Sequence, residues 1–268
     1  MTLRPSPWGS SPWGRAALLA CAAVLLAGNV GAQPCDVPTA QIEDQPTLPR
    51  AYNTIRSGGS VTIVAIGGAS TQGRAAGDDS KLSWPARAAA ALTARFPGST
   101  VQAVNLGSPR QTAEDMLKRI DSDPRLSQAA LVIWETGTTE AVRGARPDDF
   151  RTTVQAGIDR LKARKIEVVL MDMQYSHRTL ALYDLTEYRN ALSEIADIND
   201  IPIFRRHDAM RDWQETGVFD FDVADPAQRR DVATRLYDCI GRGVAALIAR
   251  NRSGSAVSPV KAPPEILP

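Results

Sequence analysis

The chain has 268 residues, of which 43% are hydrophobic and 23% charged, and its formal net charge is +1. This composition is ordinary for a globular protein, and the length allows one α/β domain with a sizeable core. The near-neutral balance, with no basic stripe carrying interleaved aromatic residues, argues against nucleic acid as a partner.

The first 32 residues have the pattern of a signal peptide. Arg4 and Arg15 supply positive charge, residues 16–27 form an apolar core, and the small residues of Val30-Gly31-Ala32 predict cleavage before Gln33. The apolar core is too short to cross a bilayer. We therefore expect a periplasmic or secreted protein with no stable membrane span after cleavage. An uncleaved N-terminal anchor is the alternative.

Strand and helix patterns alternate after a polar lead-in over residues 33–57, which ends in a short helix at 49–57. Apolar runs predict five buried strands, at Val61–Ile66, Thr100–Leu106, Ala129–Glu135, Glu167–Met173 and Ile201–Phe204. Apolar residues at helical spacing predict helices between and after these strands, at Trp84–Phe96, Gln111–Ile120, Asp148–Ala163, Leu180–Ile198 and Asp231–Ala249. The alternation favours one α/β domain over residues 58–250, a three-layer α/β/α sandwich around a five-stranded parallel sheet. A disordered tail is expected over residues 251–268.

Small and polar residues follow the first three strands. Gly68-Ala69-Ser70 follows the first, Gly107 the second, and Gly137-Thr138-Thr139-Glu140 the third. In a flavodoxin-like strand order these ends meet at the crevice where ligands bind. The glycines allow a sharp turn that displays Ser70, which is a candidate nucleophile, a non-covalent ligand contact or part of a structural turn. Phosphate or nucleotide binding is a weaker alternative, because neither a dinucleotide fingerprint nor a Walker lysine is present.

These motifs resemble those of the SGNH/GDSL hydrolases over roughly residues 58–250. The family's Gly-Asp-Ser nucleophile motif corresponds to Gly68-Ala69-Ser70. The resemblance implies oxyanion donors at Gly107 and in the loop at Gly137, where Thr139 stands in place of the family's asparagine. A threonine hydroxyl has a shorter reach than an asparagine amide, so we expect it to be a weaker donor.

The family's late Asp-x-x-His, which completes the catalytic triad, aligns with Gln228 and Asp231. Neither partner of the serine is therefore present. His177, after the fourth strand, and His207, after the fifth, are the candidate replacement bases, and the alternative for each is a hydrogen-bonded loop residue. A serine hydroxyl is a poor nucleophile without a base, whose help is typically worth about 10²–10⁴-fold.

The resemblance implies ancestral acyl- or acetyl-ester hydrolysis centred on Ser70, weakened or lost, with a small-molecule or carbohydrate ester as ligand and an envelope polysaccharide as one candidate. The alternative is a non-catalytic pseudo-hydrolase that binds a glycan or a partner in the cell envelope. No cofactor is implied, and no cluster of histidine and cysteine indicates a metal.

Cys35 and Cys239 are the two cysteines that remain after cleavage. In an oxidising compartment an even pair predicts a disulfide, and two unpaired thiols are the alternative.

Two further sets of candidate functional residues have weaker support. Glu135 and Glu140 are a candidate acid/base pair, and aromatic residues near the strand ends, such as Trp134, are candidates for stacking on sugar rings.

Overall fold

The computed structural model describes residues 35–251. The predicted signal peptide, and the predicted tail beyond residue 251, lie outside the described residues. Five parallel strands form one sheet in the order β2-β1-β3-β4-β5, with β1 at Ser60–Gly67, β2 at Thr100–Gly107, β3 at Leu131–Glu135, β4 at Glu167–Met171 and β5 at Ile203–Phe204. The prediction of a flavodoxin-like parallel sheet is confirmed.

Helices connect and cover the strands. They are α1 (Thr39–Glu43), α2 (Pro49–Arg56), α3 (Ala69–Gln72), α4 (Trp84–Arg95), α5 (Ala113–Ser122), α6 (Thr138–Arg143), α7 (Pro147–Ala163), α8 (His177–Leu180), α9 (Thr186–Asn199), α10 (Arg206–Glu215) and α11 (Pro226–Ile248). Three short 3-10 turns lie at 74–76, 80–82 and 124–128.

The sheet is buried on both faces, which explains why its strands read as nearly continuous apolar runs. Side chains alternate along a strand: Val61, Ile63 and Ala65 of β1 pack on the side of α4 and α11. Val64 and Ile66 point the other way, into the core that α5, α7 and α9 cover. This arrangement is the predicted three-layer sandwich.

Two helices begin five or six residues away from their predicted starts, because local caps decide where they begin. The helix predicted from Leu180 begins at Thr186, since Ser176 caps a separate turn at α8 by accepting the Thr179 N–H. The last helix begins five residues before Asp231, where Asp225 accepts the Gln228 N–H and proline takes the first helical position. Helix α10 was not predicted, and the polar lead-in contains α1.

The predicted disulfide is confirmed. Cys35 is bonded to Cys239 of α11 with a Cα–Cα distance of 5.7 Å and a sequence separation of 204. The bond ties the segment before α1 to the last helix. Across residues 35–251, no helix combines the length and the apolar content that crossing a bilayer requires.

Candidate functional site

Ser70 lies at the carboxyl edge of the sheet, in the first turn of α3 after the end of β1. Its Oγ donates a hydrogen bond to Glu135 Oε1 at 2.6 Å. The same oxygen accepts a hydrogen bond from Arg206 Nη1 at 2.7 Å. Glu135 is the last residue of β3, and Arg206 is the first residue of α10, just after β5. Three strand ends therefore converge on one hydroxyl group.

Glu135 and Arg206 form a buried ion pair beneath Ser70. Arg206 Nη2 lies 2.9 Å from Glu135 Oε1, and the exposed fractions of the two side chains are 0% and 7%. The second carboxylate oxygen, Oε2, accepts a hydrogen bond from the Thr71 hydroxyl. Burial by itself raises the pKa of Glu135. The Arg206 charge and the hydroxyls of Ser70 and Thr71 outweigh it, so this pKa lies below its ordinary value. Glu135 is therefore a carboxylate at neutral pH.

Glycines allow the close approach of α3 to the sheet. A Cβ atom at Gly67 would lie 2.2 Å from Thr71 Oγ1 and 2.8 Å from Glu135 Oε2. A Cβ atom at Gly107 would lie 2.2 Å from Gln72 N. Real Cβ atoms do not approach other atoms so closely, so both positions require glycine. The glycines of the Gly67-Gly68 and Asn105-Leu106-Gly107 motifs thus allow α3, with its serine, to pack against the ends of β1 and β2.

Gly107 was expected to offer its amide to an oxyanion. In the structure this N–H donates to Asn105 Oδ1 at 2.8 Å. Asn105 Nδ2 in turn donates to the Thr71 carbonyl at 2.7 Å. The Gly107 amide is therefore already used in holding α3 to β2. Gly137 has a left-handed φ of 104° at the start of α6, and a Cβ there would lie 2.4 Å from Met173 Cε.

A pocket of about 310 Å³ opens beside Ser70. We call it the Ser70 pocket, and it is lined by Gly68, Ala69, Ser70, Arg110, Glu135, Thr138, Thr139, Val142, Arg143 and Gln174. Thr139 thus lies in the same pocket as Ser70, as the resemblance implied. A hollow of about 380 Å³ lies at the opposite edge of the sheet. Glu167, a partly buried carboxylate in its lining, caps α2 by accepting hydrogen bonds from the N–H groups of Arg50 and Ala51.

Neither histidine belongs to the Ser70 pocket. His177 is exposed, and its Nδ1 lies 2.6 Å from Asp222 Oδ2. His207 is buried in α10, and its Nδ1 lies 3.5 Å from Asp208 Oδ1. The Tyr175 ring lies between them, 5.2 Å from the His177 ring and 5.3 Å from the His207 ring. Among residues 35–251, Ser70 Oγ hydrogen bonds to Glu135 and Arg206 and to no histidine.

The positions that align with the family's aspartate and histidine lie in the first turns of α11. Gln228 and Asp231 are both exposed there. The other candidate groups have structural partners. Glu140 is buried and accepts the Ala113 N–H at the start of α5, so it does not face Glu135 as an acid/base partner. Trp134 is fully buried and donates to Met116 Sδ at 3.1 Å, so it does not stack on a ligand.

A buried tyrosine lies close to the ion pair of Glu135 and Arg206. The phenol of Tyr237 is buried beside it, and burial together with the Glu135 charge raises the pKa of Tyr237 to about 12. Across the described part of the chain, no three histidine, cysteine, aspartate or glutamate side chains group as metal ligands.

Comparison with known proteins identifies the fold and the family. The family model for the non-GDSL lipase-like family matches residues 34–253. The chain belongs to this family. No curated protein matches the chain.

Several solved structures have an architecture similar to that of this member of the non-GDSL lipase-like family. A G-D-S-L family protein from Desulfitobacterium hafniense DCB-2 has a TM-score of 0.53 and 20% identity over 70% of this chain and 99% of its own. A variant of Axe2, an acetyl-xylooligosaccharide esterase from Geobacillus, has a TM-score of 0.53 and 17% identity over 68% of this chain and 94% of its own.

A two-domain esterase (CEX) active on acetylated mannans has a TM-score of 0.57 and 15% identity, over 81% of this chain. This chain spans only 57% of that esterase's length. At these identities the likeness shows the fold, and together with the family match it confirms the SGNH/GDSL relationship.

Sequence reasoning missed the groups that hold Ser70 in this family member. The sequence pattern does not single out Arg206, and it indicates Glu135 only as an acid/base partner of Glu140. Arg206 comes two residues after a buried strand, at the ligand-facing edge of a parallel sheet. This position after a buried strand is the one feature of the sequence that could have identified Arg206. Arg110 and Arg143, which line the Ser70 pocket, were missed in the same way.

Proposed function

We propose that this member of the family binds an O-acylated carbohydrate in the Ser70 pocket and does not hydrolyse it at the rate of an esterase. The observation that carries this proposal is the state of the Ser70 hydroxyl. Its proton is donated to Glu135 and its oxygen accepts from Arg206, at 2.6 and 2.7 Å. Both groups belong to a buried ion pair, so the hydroxyl is held as part of the fold.

The groups around Ser70 do not supply the strong general base and the free oxyanion donor that an ester hydrolase needs. A general base typically contributes about 10²–10⁴-fold, and a carboxylate with a lowered pKa, such as Glu135, is a weak base. An oxyanion-hole donor is worth about 10²–10³-fold, and the Gly107 amide already donates to Asn105. Because these effects act together and are not additive, we expect turnover to be very slow or absent.

The lining of the Ser70 pocket suits a carbohydrate carrying a short acyl group. Thr138, Thr139 and Gln174 offer hydroxyl and amide groups for sugar hydroxyls. Val142, which is 44% exposed, offers an apolar surface for an acyl methyl group. Two of the structural relatives act on acetylated xylo-oligosaccharides or acetylated mannans. We extend that ligand class to this chain.

We also propose that the protein works outside the cytoplasm, in the periplasm or as a secreted protein. Disulfides form and persist in oxidising compartments, and Cys35 is bonded to Cys239. The basic and apolar pattern of residues 1–32 supports the same location.

One contact favours a second candidate, slow ester hydrolysis with Glu135 as the base. In this reaction Ser70 Oγ attacks the acyl carbon, and the hydroxyl proton passes to Glu135 Oε1. The sugar oxygen leaves with that proton, and water then releases the acid from the acyl-serine. The 2.6 Å hydrogen bond provides the path for the proton. The low pKa of Glu135 opposes the step.

Titration of acetylated and deacetylated xylo-oligosaccharides by calorimetry, with acetate release measured on the same samples, separates the candidates. We expect saturable binding of the acetylated ligand and no acetate release above background. Ser57→Ala, at the opposite edge of the sheet, is the control and should change nothing. Acetate release that is lost in Ser70→Ala and in Glu135→Gln would establish the second candidate. Absence of binding to any glycan would contradict the first.

A further inference from the structure

Two arginines form one wall of the Ser70 pocket. Arg143 is the last residue of α6, and Arg110 lies in the turn that follows β2. Arg143 Nη2 donates to the Arg110 carbonyl at 3.2 Å, so the two residues are neighbours on this wall. Both side chains are exposed. Arg110 has a left-handed φ of 62°, which glycine or asparagine adopts more easily, so the turn itself does not require an arginine.

Arg143 lies within Coulombic range of Asp115 and Glu140, but neither arginine makes a direct ion pair within the described residues. Within residues 35–251, no carboxylate lies within ion-pair distance of Arg110 or Arg143, although the chain has many exposed ion pairs elsewhere. An anion that enters the Ser70 pocket would therefore meet two arginines that have no carboxylate in direct contact with them.

The nearby acids have other partners. Glu135 is paired with the buried Arg206. Asp115 accepts from the N–H and the hydroxyl of Thr112 in the capping box of α5. Glu140 accepts the Ala113 N–H. The Arg143 charge acts on Asp115 and Glu140, but neither of these carboxylates lines the Ser70 pocket. The charged side chains of the lining are Arg110, Arg143 and Glu135, and Glu135 is paired with Arg206, so the lining carries more positive than negative charge and attracts anions.

We propose that the ligand of the Ser70 pocket is an acidic saccharide whose anionic group is bound by Arg110 and Arg143; this rests on the proposed function above. The planar guanidinium fork suits both oxygens of a carboxylate or phosphate. In this arrangement the acyl-bearing part of the sugar lies toward Ser70 and Val142. The charged group, a uronate carboxylate or a sugar phosphate, lies against the arginine wall. Neutral glycans lack this second contact.

The test compares three probes by calorimetry at 50 mM and 500 mM NaCl. They are an acetylated oligogalacturonide, an acetylated xylo-oligosaccharide of the same length, and mannose 6-phosphate. Arg110→Gln and Arg143→Gln are compared with the wild type. Arg56→Gln is the charge-matched control, because Arg56 ends α2, which leads into the start of β1 at the opposite edge of the sheet. Thermal melting of each variant checks that it is folded.

We expect the acidic oligosaccharide to bind several-fold more tightly than the neutral one at low salt, with the preference shrinking at high salt. Each pocket variant should weaken acidic binding by about 1.5- to 5-fold, as expected for exposed charge pairs, and leave neutral binding unchanged. Arg56→Gln should bind like the wild type. Preference for mannose 6-phosphate over the uronide, with the same arginine dependence, supports the site and assigns phosphate as its anion.

Equal affinity for acidic and neutral probes would overturn the inference while the proposed function stands. An equal loss of both affinities in Arg110→Gln and Arg143→Gln would also overturn it, because the arginines would then have a structural role. Absence of binding to all three probes would overturn the inference and the proposed function together.

Discussion

Replacing Arg206 with methionine perturbs the ion pair that holds Ser70. Methionine has a similar length and no charge, so the packing of the fully buried side chain is largely kept. Glu135 is left as a buried carboxylate that has lost its cation, while Ser70 and Thr71 remain as donors. Removing one partner of a buried pair typically costs about 3–5 kcal/mol of unfolding free energy. For a domain of this size that loss lowers Tm by roughly 6–20 °C.

The effect has a defined dependence on pH. In the wild type the pKa of Glu135 is lowered, so the ionised carboxylate contributes stability above its ordinary pKa, and this is lost as pH falls through the lowered value. In Arg206→Met the positive charge is gone, and burial should raise the pKa of Glu135 instead. Folding of the variant is then penalised at neutral pH. The penalty is relieved as pH falls through the raised pKa, because the carboxyl group becomes neutral.

Urea denaturation at pH 7.0 and near pH 4.5 measures this directly. The free energy of unfolding of Arg206→Met should lie far below that of the wild type at pH 7.0, and the difference should be clearly smaller near pH 4.5. Glu135→Gln combined with Arg206→Met should recover part of the loss, since no buried charge remains. A deficit under about 1 kcal/mol at pH 7.0, far less than breaking a buried pair costs, would refute this reasoning. So would a deficit that does not change with pH.

Three other changes have definite expected outcomes. Gly107→Ala should destabilise the fold by about 1–3 kcal/mol in urea denaturation, because its Cβ would lie 2.2 Å from the Gln72 backbone nitrogen; wild-type stability would contradict the close approach of α3. Burial raises the pKa of Glu140, so its charged form penalises folding at neutral pH, and Glu140→Gln should be neutral or stabilising at pH 7, with the difference vanishing below pH 4; a large loss of unfolding free energy at pH 7 would refute this. Replacing Cys35 and Cys239 together with serine should cost about 2–5 kcal/mol by thermal melting, and an unchanged Tm would show that the bond does not stabilise the fold.

The fold could be predicted from the sequence because the central strands β1, β3 and β4 are buried on both faces, whereas the edge strand β2 is only partly buried. That burial demands apolar runs such as Val61–Ile66, whose period and length are visible in the sequence. The disulfide was predictable for a different reason, since Cys35 and Cys239 are the two cysteines that follow the predicted signal peptide. Helix ends were less predictable, because a single capping residue such as Asp225 moves a boundary by several positions.

The candidate site was predicted only in part. Ser70 and Thr139 do lie together, because they follow neighbouring parallel strands whose carboxyl ends meet at one edge. The partners of Ser70 were not predictable by motif, since Glu135 and Arg206 are 65 and 136 residues away in the chain. The sequence indicates histidines as candidate bases, whereas in the structure the Ser70 hydroxyl is held by a carboxylate and a guanidinium group. Only the packed structure shows that this arginine turns inward.

Labelling with a fluorophosphonate probe, followed by intact mass measurement, tests the central claim that Ser70 is held by Glu135 and Arg206 and is not an activated nucleophile. An SGNH esterase with an intact triad is the positive control, and Ser70→Ala is the negative control. The account predicts no adduct on the wild-type protein under conditions that label the control enzyme completely. A stoichiometric adduct on Ser70 would contradict it.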